Sequence, residues 1–179
     1  MKKAPHSVCL GHLHFVTANT HKRIPLFRSP VLCREFFTSL SEIKIRFPFE
    51  LFAYVLMPDH FHLLVRPSDG DISRLVQKIK SLTARRVIDT LQTEGNDKSL
   101  LALRKPIPGR RAHSYQVFQQ SFRDLRLWSS WMIHQKIDYI HANPVNEGLV
   151  DNVAAYRWSS CRAMHERTSE PIPIDHLPD

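Results

Sequence analysis

At 179 residues the chain is long enough for one domain with a real core, and its 42% hydrophobic content is that of a globular protein rather than a disordered one. Its 25 Lys and Arg against 17 Asp and Glu give a formal charge of +8, which favours an anionic partner, nucleic acid foremost. No uninterrupted apolar run nears the ~20 residues of a membrane span, and the three cysteines have no paired spacing and no secretory signal before them. A disulfide framework is thereby excluded, and a reduced, cytoplasmic, nucleoid-associated protein is expected.

In chain order, residues 1–9 form a basic leading segment, residues 10–162 the expected domain, and residues 163–179 a polar, proline-rich tail that is loosely held. Leu10 to Ala18 alternates as a first strand, with Leu13, Phe15 and Thr17 on one face. Ser29-Pro30 starts a helix, serine as the cap and proline at the first helical position. Cys33, Phe36, Leu40, Ile43 and Phe47 then recur at helical spacing as one apolar stripe, and Pro48 stops it. Phe49 to Met57 is almost wholly apolar, the pattern of a strand covered on both faces.

A Pro58-Asp59 turn leads into His60-Phe61-His62-Leu63-Leu64-Val65, read as the second strand of a hairpin. Side chains alternate along a strand, so His60 and His62 point one way while Phe61, Leu63 and Val65 point into a core. Their Cα atoms then stand roughly 7 Å apart, near enough for the imidazoles to share one metal ion. Asp71 is placed to cap a second helix that buries Ile72, Leu75, Val76, Ile79 and Leu82. Arg74, Lys78 and Arg85 gather on its outer face with no acidic residue among them, which suits contact with phosphates.

The stretch from Thr93 to His113 reads as an irregular, mobile connection whose Arg104, Lys105, Arg110 and Arg111 add to a DNA-gripping surface. Phe118 to Phe122 is expected as a short strand, and Arg126 to Ala142 as a third helix ended by Asn143-Pro144. On that helix Ile133, Ile137 and Ile140 face inward, Tyr139 and Asn143 share an adjoining side one turn apart, and His134, Asp138 and His141 sit farther out. The aromatic-basic piece Tyr156-Arg157-Trp158-Ser159-Ser160 is expected to dock on the domain.

Four of these pieces resemble one family. Met57-Pro58-Asp59-His60-Phe61-His62 resembles the His-hydrophobic-His motif of the single-tyrosine transposases that act on single-stranded DNA. Asp138-Tyr139-Ile140-His141-Ala142-Asn143-Pro144-Val145 with Gly148-Leu149-Val150 resembles the catalytic helix of the REP-associated tyrosine transposases in that group. Phe118-Gln119-Gln120-Ser121-Phe122-Arg123-Asp124 and Tyr156-Arg157-Trp158-Ser159-Ser160 are similar to two further segments, so the likeness spans residues 10 to 162.

The resemblance implies an α+β, ferredoxin-like antiparallel sheet with helices packed on one face, plus a C-terminal extension. It implies Tyr139 as a nucleophile forming a 5′-phosphotyrosine, with Tyr115 as the rival, and His60, His62 and Asn143 as ligands of Mg2+ or Mn2+. Ligand chemistry by itself leaves zinc open as well. The implied partner is single-stranded DNA with hairpin structure, handled by a monomer or homodimer. Two other readings use the same residues: a non-catalytic nucleic-acid-binding module, and a metal-dependent nuclease without a covalent intermediate.

Overall fold

The structure is a computed structural model that describes residues 12–106, 113–166 and 171–177. Its centre is the hairpin of β2 (Phe49–Met57) and β3 (His60–Pro67), turned at Pro58-Asp59. β1 (Leu13–Asn19) pairs antiparallel with β3, and β6 (Arg123–Leu127) pairs antiparallel with β1, giving the sheet order β2-β3-β1-β6. A bulge at Phe52, between Leu51 and Ala53, shifts the parity of β2. That shift keeps Leu51, Tyr54 and Leu56 on one face and sends Phe52, Val55 and Met57 to the other.

Helices α1 (Pro30–Arg46) and α2 (Ile72–Thr93) pack together on the first face, as a ferredoxin-like sheet requires. Both begin where the capping residues place them: Ser29 Oγ accepts from the Leu32 amide, and Asp71 Oδ1 accepts from the Arg74 amide. Their buried stripes meet Val16, Phe61, Leu63 and Val65 of the sheet. Phe61 touches Phe36 and Phe118 with ring centroids 5.2 and 5.8 Å apart, so the residue between the two histidines is anchored in this core. Helix α4 (Ser130–Asn146) covers the opposite face, laying Ile137 and Ile140 against Phe52, Val55, Leu64 and Leu127. β2 is thus covered on both sides, as its apolar run implied.

Several boundaries differ from those the sequence suggests. Arg126 and Leu127 end strand β6 rather than starting a helix, and Phe118 makes only a single bridge to Thr20. The connection after α2 contains α3 (Asp97–Leu103), capped by Asn96, and a two-stranded pair of β4 (Arg104–Pro106) with β5 (His113–Tyr115). Asn143-Pro144 does not end α4. Proline there removes one hydrogen bond in the last turn only, and the helix instead stops at Gly148, whose φ of 67° completes a Schellman closure. In it the Gly148 amide donates to Val145 O and the Leu149 amide to Pro144 O.

Beyond α4, residues 158–160 run along the outer edge of β2, with Leu56 N donating to Trp158 O and Ser160 N to Tyr54 O. His141 turns toward this segment instead of outward. It is buried, with Nε2 3.0 Å from Ser160 Oγ. Residues 171–177 also lie on this edge rather than hanging loose. Ile172 is buried, and Asp175 accepts from the Leu51 amide at 2.7 Å and from Lys44 at 2.5 Å. Covering an edge strand removes a template for unwanted strand pairing. Replacing Asp175 with Ala is expected to lower folding stability by about 1 kcal/mol, the scale of a partly exposed charge-assisted hydrogen bond, read as a lower urea midpoint at unchanged slope.

Candidate active site

His60 and His62 project from β3 on the α4 side of the sheet, and both are buried. Each ring is fixed through its Nδ1. Asp59 Oδ1 accepts from His60 Nδ1 at 2.7 Å, and Thr17 Oγ1 lies 2.8 Å from His62 Nδ1. The register of β1 against β3 sets Thr17 directly opposite His62, which is why that threonine arrives there. With both Nδ1 atoms engaged, the two Nε2 atoms face each other at 3.1 Å. Burial, followed by the charges of His60, Arg23 and Lys136, pushes the His62 imidazole down to about 3, so it is neutral at ordinary pH.

Asn143 reaches this pair from α4, with Nδ2 3.3 Å from His62 Nε2. Its Oδ1 is buried and has no hydrogen-bond partner. A buried oxygen without a partner, on a side chain that meets two inward-facing imidazoles, suits a cation rather than a packed core. The 3.1 Å between the two Nε2 atoms fits too, since donors on neighbouring corners of an octahedron with ~2.1 Å bonds lie about 3.0 Å apart. Turning the Asn143 amide over would set its oxygen where Nδ2 meets His62. Among the described residues no three His, Cys, Asp or Glu side chains cluster to hold an ion, so the fit rests on two imidazoles and one amide.

Tyr139, one turn before Asn143, sets its ring against His62 at a centroid distance of 5.4 Å and against Phe15 at 5.8 Å. Phe15 in turn stacks on His62 at 5.3 Å. Lys136 Nζ stands 5.3 Å from the Phe15 centroid and 5.5 Å from that of Tyr139. The other three tyrosines are elsewhere. Tyr54 is buried with its hydroxyl donating to Ile172 O, Tyr156 donates to Leu56 O, and Tyr115 lines a separate cleft on the α2 side.

A cleft of about 770 Å³ opens over the histidines and Tyr139, and its cations are Arg23, Arg123 and Lys136. Arg23 Nε pairs with Asp59 Oδ2 at 2.7 Å, so one carboxylate joins the guanidinium to the His60 ring. Lys22 and Arg23 both hold left-handed backbone, with φ of 53° and 57°, a conformation uncommon for side-chain-bearing residues and typical of strained functional loops.

The cations expected from sequence to grip DNA stand apart from this cleft. Arg74, Lys78 and Arg85 belong to α2, across the sheet from the histidines. Arg74 pairs with Asp69 and Asp71, Lys78 lies 3.9 Å from the Phe47 ring centroid, and Arg85 is exposed. Arg104 and Lys105 are exposed on β4, Lys105 beside the α2-side cleft, while Arg110 and Arg111 fall outside the described residues. Thr17, Arg23, Arg123 and Lys136 were not singled out by sequence reasoning. Thr17 carries a signal in its alternation with Phe15 on one face of β1, and Arg123 in its place within the Phe118-to-Asp124 segment.

Fold and site together define a ferredoxin-like domain in which a buried histidine pair on a central strand faces a tyrosine-bearing helix. The chain belongs to the family described as "Transposase IS200 like", which it matches over residues 7–99, just over half its length. It is 23% identical over 160 residues to a candidate REP-associated tyrosine transposase of Haemophilus influenzae, an alignment covering 84% of this chain and 80% of that protein. Its fold is similar to the structure of a REP-associated tyrosine transposase bound to a REP hairpin, with a TM-score of 0.69 at 21% identity, covering 100% of this chain and 93% of the other.

The orphaned buried oxygen of Asn143 is a cost to folding that the long 3.3 Å hydrogen bond of its Nδ2 with His62 at most offsets. Replacing Asn143 with Leu is therefore expected to leave stability unchanged or raise it by up to about 1 kcal/mol in metal-free buffer. Truncating its neighbour Ile140 to Ala should cost about 2–5 kcal/mol. Paired urea titrations of the two variants check the contrast.

Proposed function

We propose that this chain is a transposase-type enzyme that cleaves and rejoins single-stranded DNA through a covalent bond between Tyr139 and a 5′-phosphate. The observation that carries this reading is that Tyr139, of the four tyrosines, is the one whose ring meets a histidine of the pair, and it does so within one chain. Its partial exposure at the cleft leaves it accessible to a strand lying over the histidines.

In the reaction the Tyr139 hydroxyl oxygen forms a bond to phosphorus, the bond from phosphorus to the 3′ oxygen breaks, the phenolic proton is lost and the departing 3′ oxygen gains one. The product is a 5′-phosphotyrosine and a free 3′-hydroxyl, and reversal with a different 3′-hydroxyl rejoins the strand. His60, His62 and Asn143 would hold Mg2+ or Mn2+, which when bound supplies Lewis-acid polarisation of the scissile phosphate. Asp59 and Thr17 keep both Nε2 atoms turned inward. Arg23, Arg123 and Lys136 line the path of the phosphates and offset their charge.

Hairpin-forming DNA with single-stranded flanks is the proposed substrate. It agrees with the basic balance of the chain and with the REP hairpin held by the structural neighbour. Membership of the IS200-like transposase family supports strand transfer over simple hydrolysis.

The test is a labelled hairpin oligonucleotide incubated with Mn2+ and resolved on a denaturing gel. The wild-type protein should yield an adduct that survives denaturation, Tyr139→Phe none, and His60→Ala or His62→Ala at least about a hundredfold less, as expected when a site loses one of its assembled parts. Cleavage without any adduct, or an adduct undiminished in Tyr139→Phe, overturns the reading. Separately, Asp59→Asn should weaken Mn2+ binding roughly 10–100-fold by calorimetry, since partners that orient a ligand ring count for that much.

A further inference from the structure

The two elements that wall the cleft, β6 through Arg123 and Leu125 and α4 through Lys136 and Tyr139, are joined by a short connection that carries Trp128, and Trp131 follows in the first turn of α4. Trp128 and Trp131 are 69% and 70% exposed, far outside the usual state of so large an apolar ring. Leu125, also exposed, lies on β6 opposite Phe15 and so on the face of the sheet that bears the histidines. Trp131 starts the i, i+4, i+8 row that passes through Gln135 to Tyr139, two turns and ~12 Å farther along α4. Single exposed apolar residues are ordinary, but two exposed indoles three residues apart, between the β6 and α4 residues that line a basic cleft, are the makings of a platform for nucleic-acid bases. Trp158 is no part of it, being stacked on Phe37 at 5.8 Å.

Resting on the function proposed above, we infer that Trp128 and Trp131 form a shelf on which unpaired bases of the DNA strand stack as it leaves the cleft. The occupant is single-stranded DNA because stacking needs free base faces and because the neighbouring cleft offers cations for the backbone. Paired DNA keeps its bases stacked on one another and would gain nothing from the rings. The shelf therefore selects for an unpaired flank beside a hairpin without reading its sequence.

The test uses the full chain with metal omitted, so that binding is read without turnover, and two single-stranded oligonucleotides of equal length, one normal and one abasic along the flank. Wild type should bind the normal strand more tightly and show quenched tryptophan emission. Trp128→Ala and Trp131→Ala should each weaken that binding at least about fivefold, with little change toward the abasic strand, and Trp→Phe at either position should restore most of the loss. Circular dichroism of the Ala variants, with the Phe variants as a second set, separates loss of stacking from loss of fold.

Equal binding of both strands by wild type, or undiminished binding by the double Ala variant, overturns the shelf. So does a concentration-dependent dimer in sedimentation that the Ala substitutions abolish, since the rings would then be covered by a second copy. Tryptophan-dependent binding without any Tyr139 adduct supports the shelf while refuting the proposed strand transfer. An adduct with unaltered binding in the variants does the reverse.

Discussion

The site depends on the register between β1 and β3. A slip by one residue would take Thr17 away from His62 and turn the whole β1 pattern to the wrong face. With the register in place, Thr17 and Asp59 hold the two imidazoles by their Nδ1 atoms, and both Nε2 atoms are left converging on the space that Asn143 approaches. Each ring has only two nitrogens, so engaging one outward determines what the other can do.

Burial acts in the same direction as this geometry. An imidazolium within the sheet-helix interface would be desolvated and set against Arg23 and Lys136, so His62 stays neutral and keeps a lone pair to offer. Phe61 strengthens the arrangement from behind. Its ring is locked among Phe36 and Phe118 on the far face, so the strand cannot rotate to relieve crowding between the histidines. Arg23, held by a left-handed backbone, completes a line of contacts from the cleft wall through Asp59 to His60.

Much of this was legible in the sequence because it follows from short-range rules. Alternation placed His60 with His62 and Phe61 opposite them, the caps at Ser29 and Asp71 marked the starts of α1 and α2, and the four-residue spacing put Tyr139 above Asn143. What the sequence concealed was long-range. Nothing in α2 says which face of the sheet it will cover, so the sequence could not tell that Arg74, Lys78 and Arg85, expected to contact phosphates, lie across the sheet from the histidines. Arg123 to Leu127 alternates over only five residues, too few to outweigh the helical pattern that follows at Ser130. The sign that α4 runs on past Pro144 was Gly148, a residue free to take positive φ. His141 turned inward because α4 has two neighbours, the sheet and the 158–160 segment, whereas a periodicity argument assumes one.

The two faces of the sheet divide the work of the molecule. On one, α1 and α2 enclose a dense aromatic core with used caps, though Thr83 Oγ1 and Arg86 Nε of α2 are also buried without a hydrogen-bond partner. On the other, several unusual features meet in one place: an amide oxygen buried without a partner, imidazole nitrogens turned toward each other, a half-exposed tyrosine and consecutive left-handed residues at the rim. Each departs from local preference at some energetic cost, and such departures collect where a ligand offsets them. The sheet shares β3 between both sides, so the residues that stabilise the fold and those that face the cleft alternate along a single strand. A substitution at Phe61 or Leu63 would therefore disturb the site through the backbone without touching it, and the site cannot be loosened independently of the core that supports it.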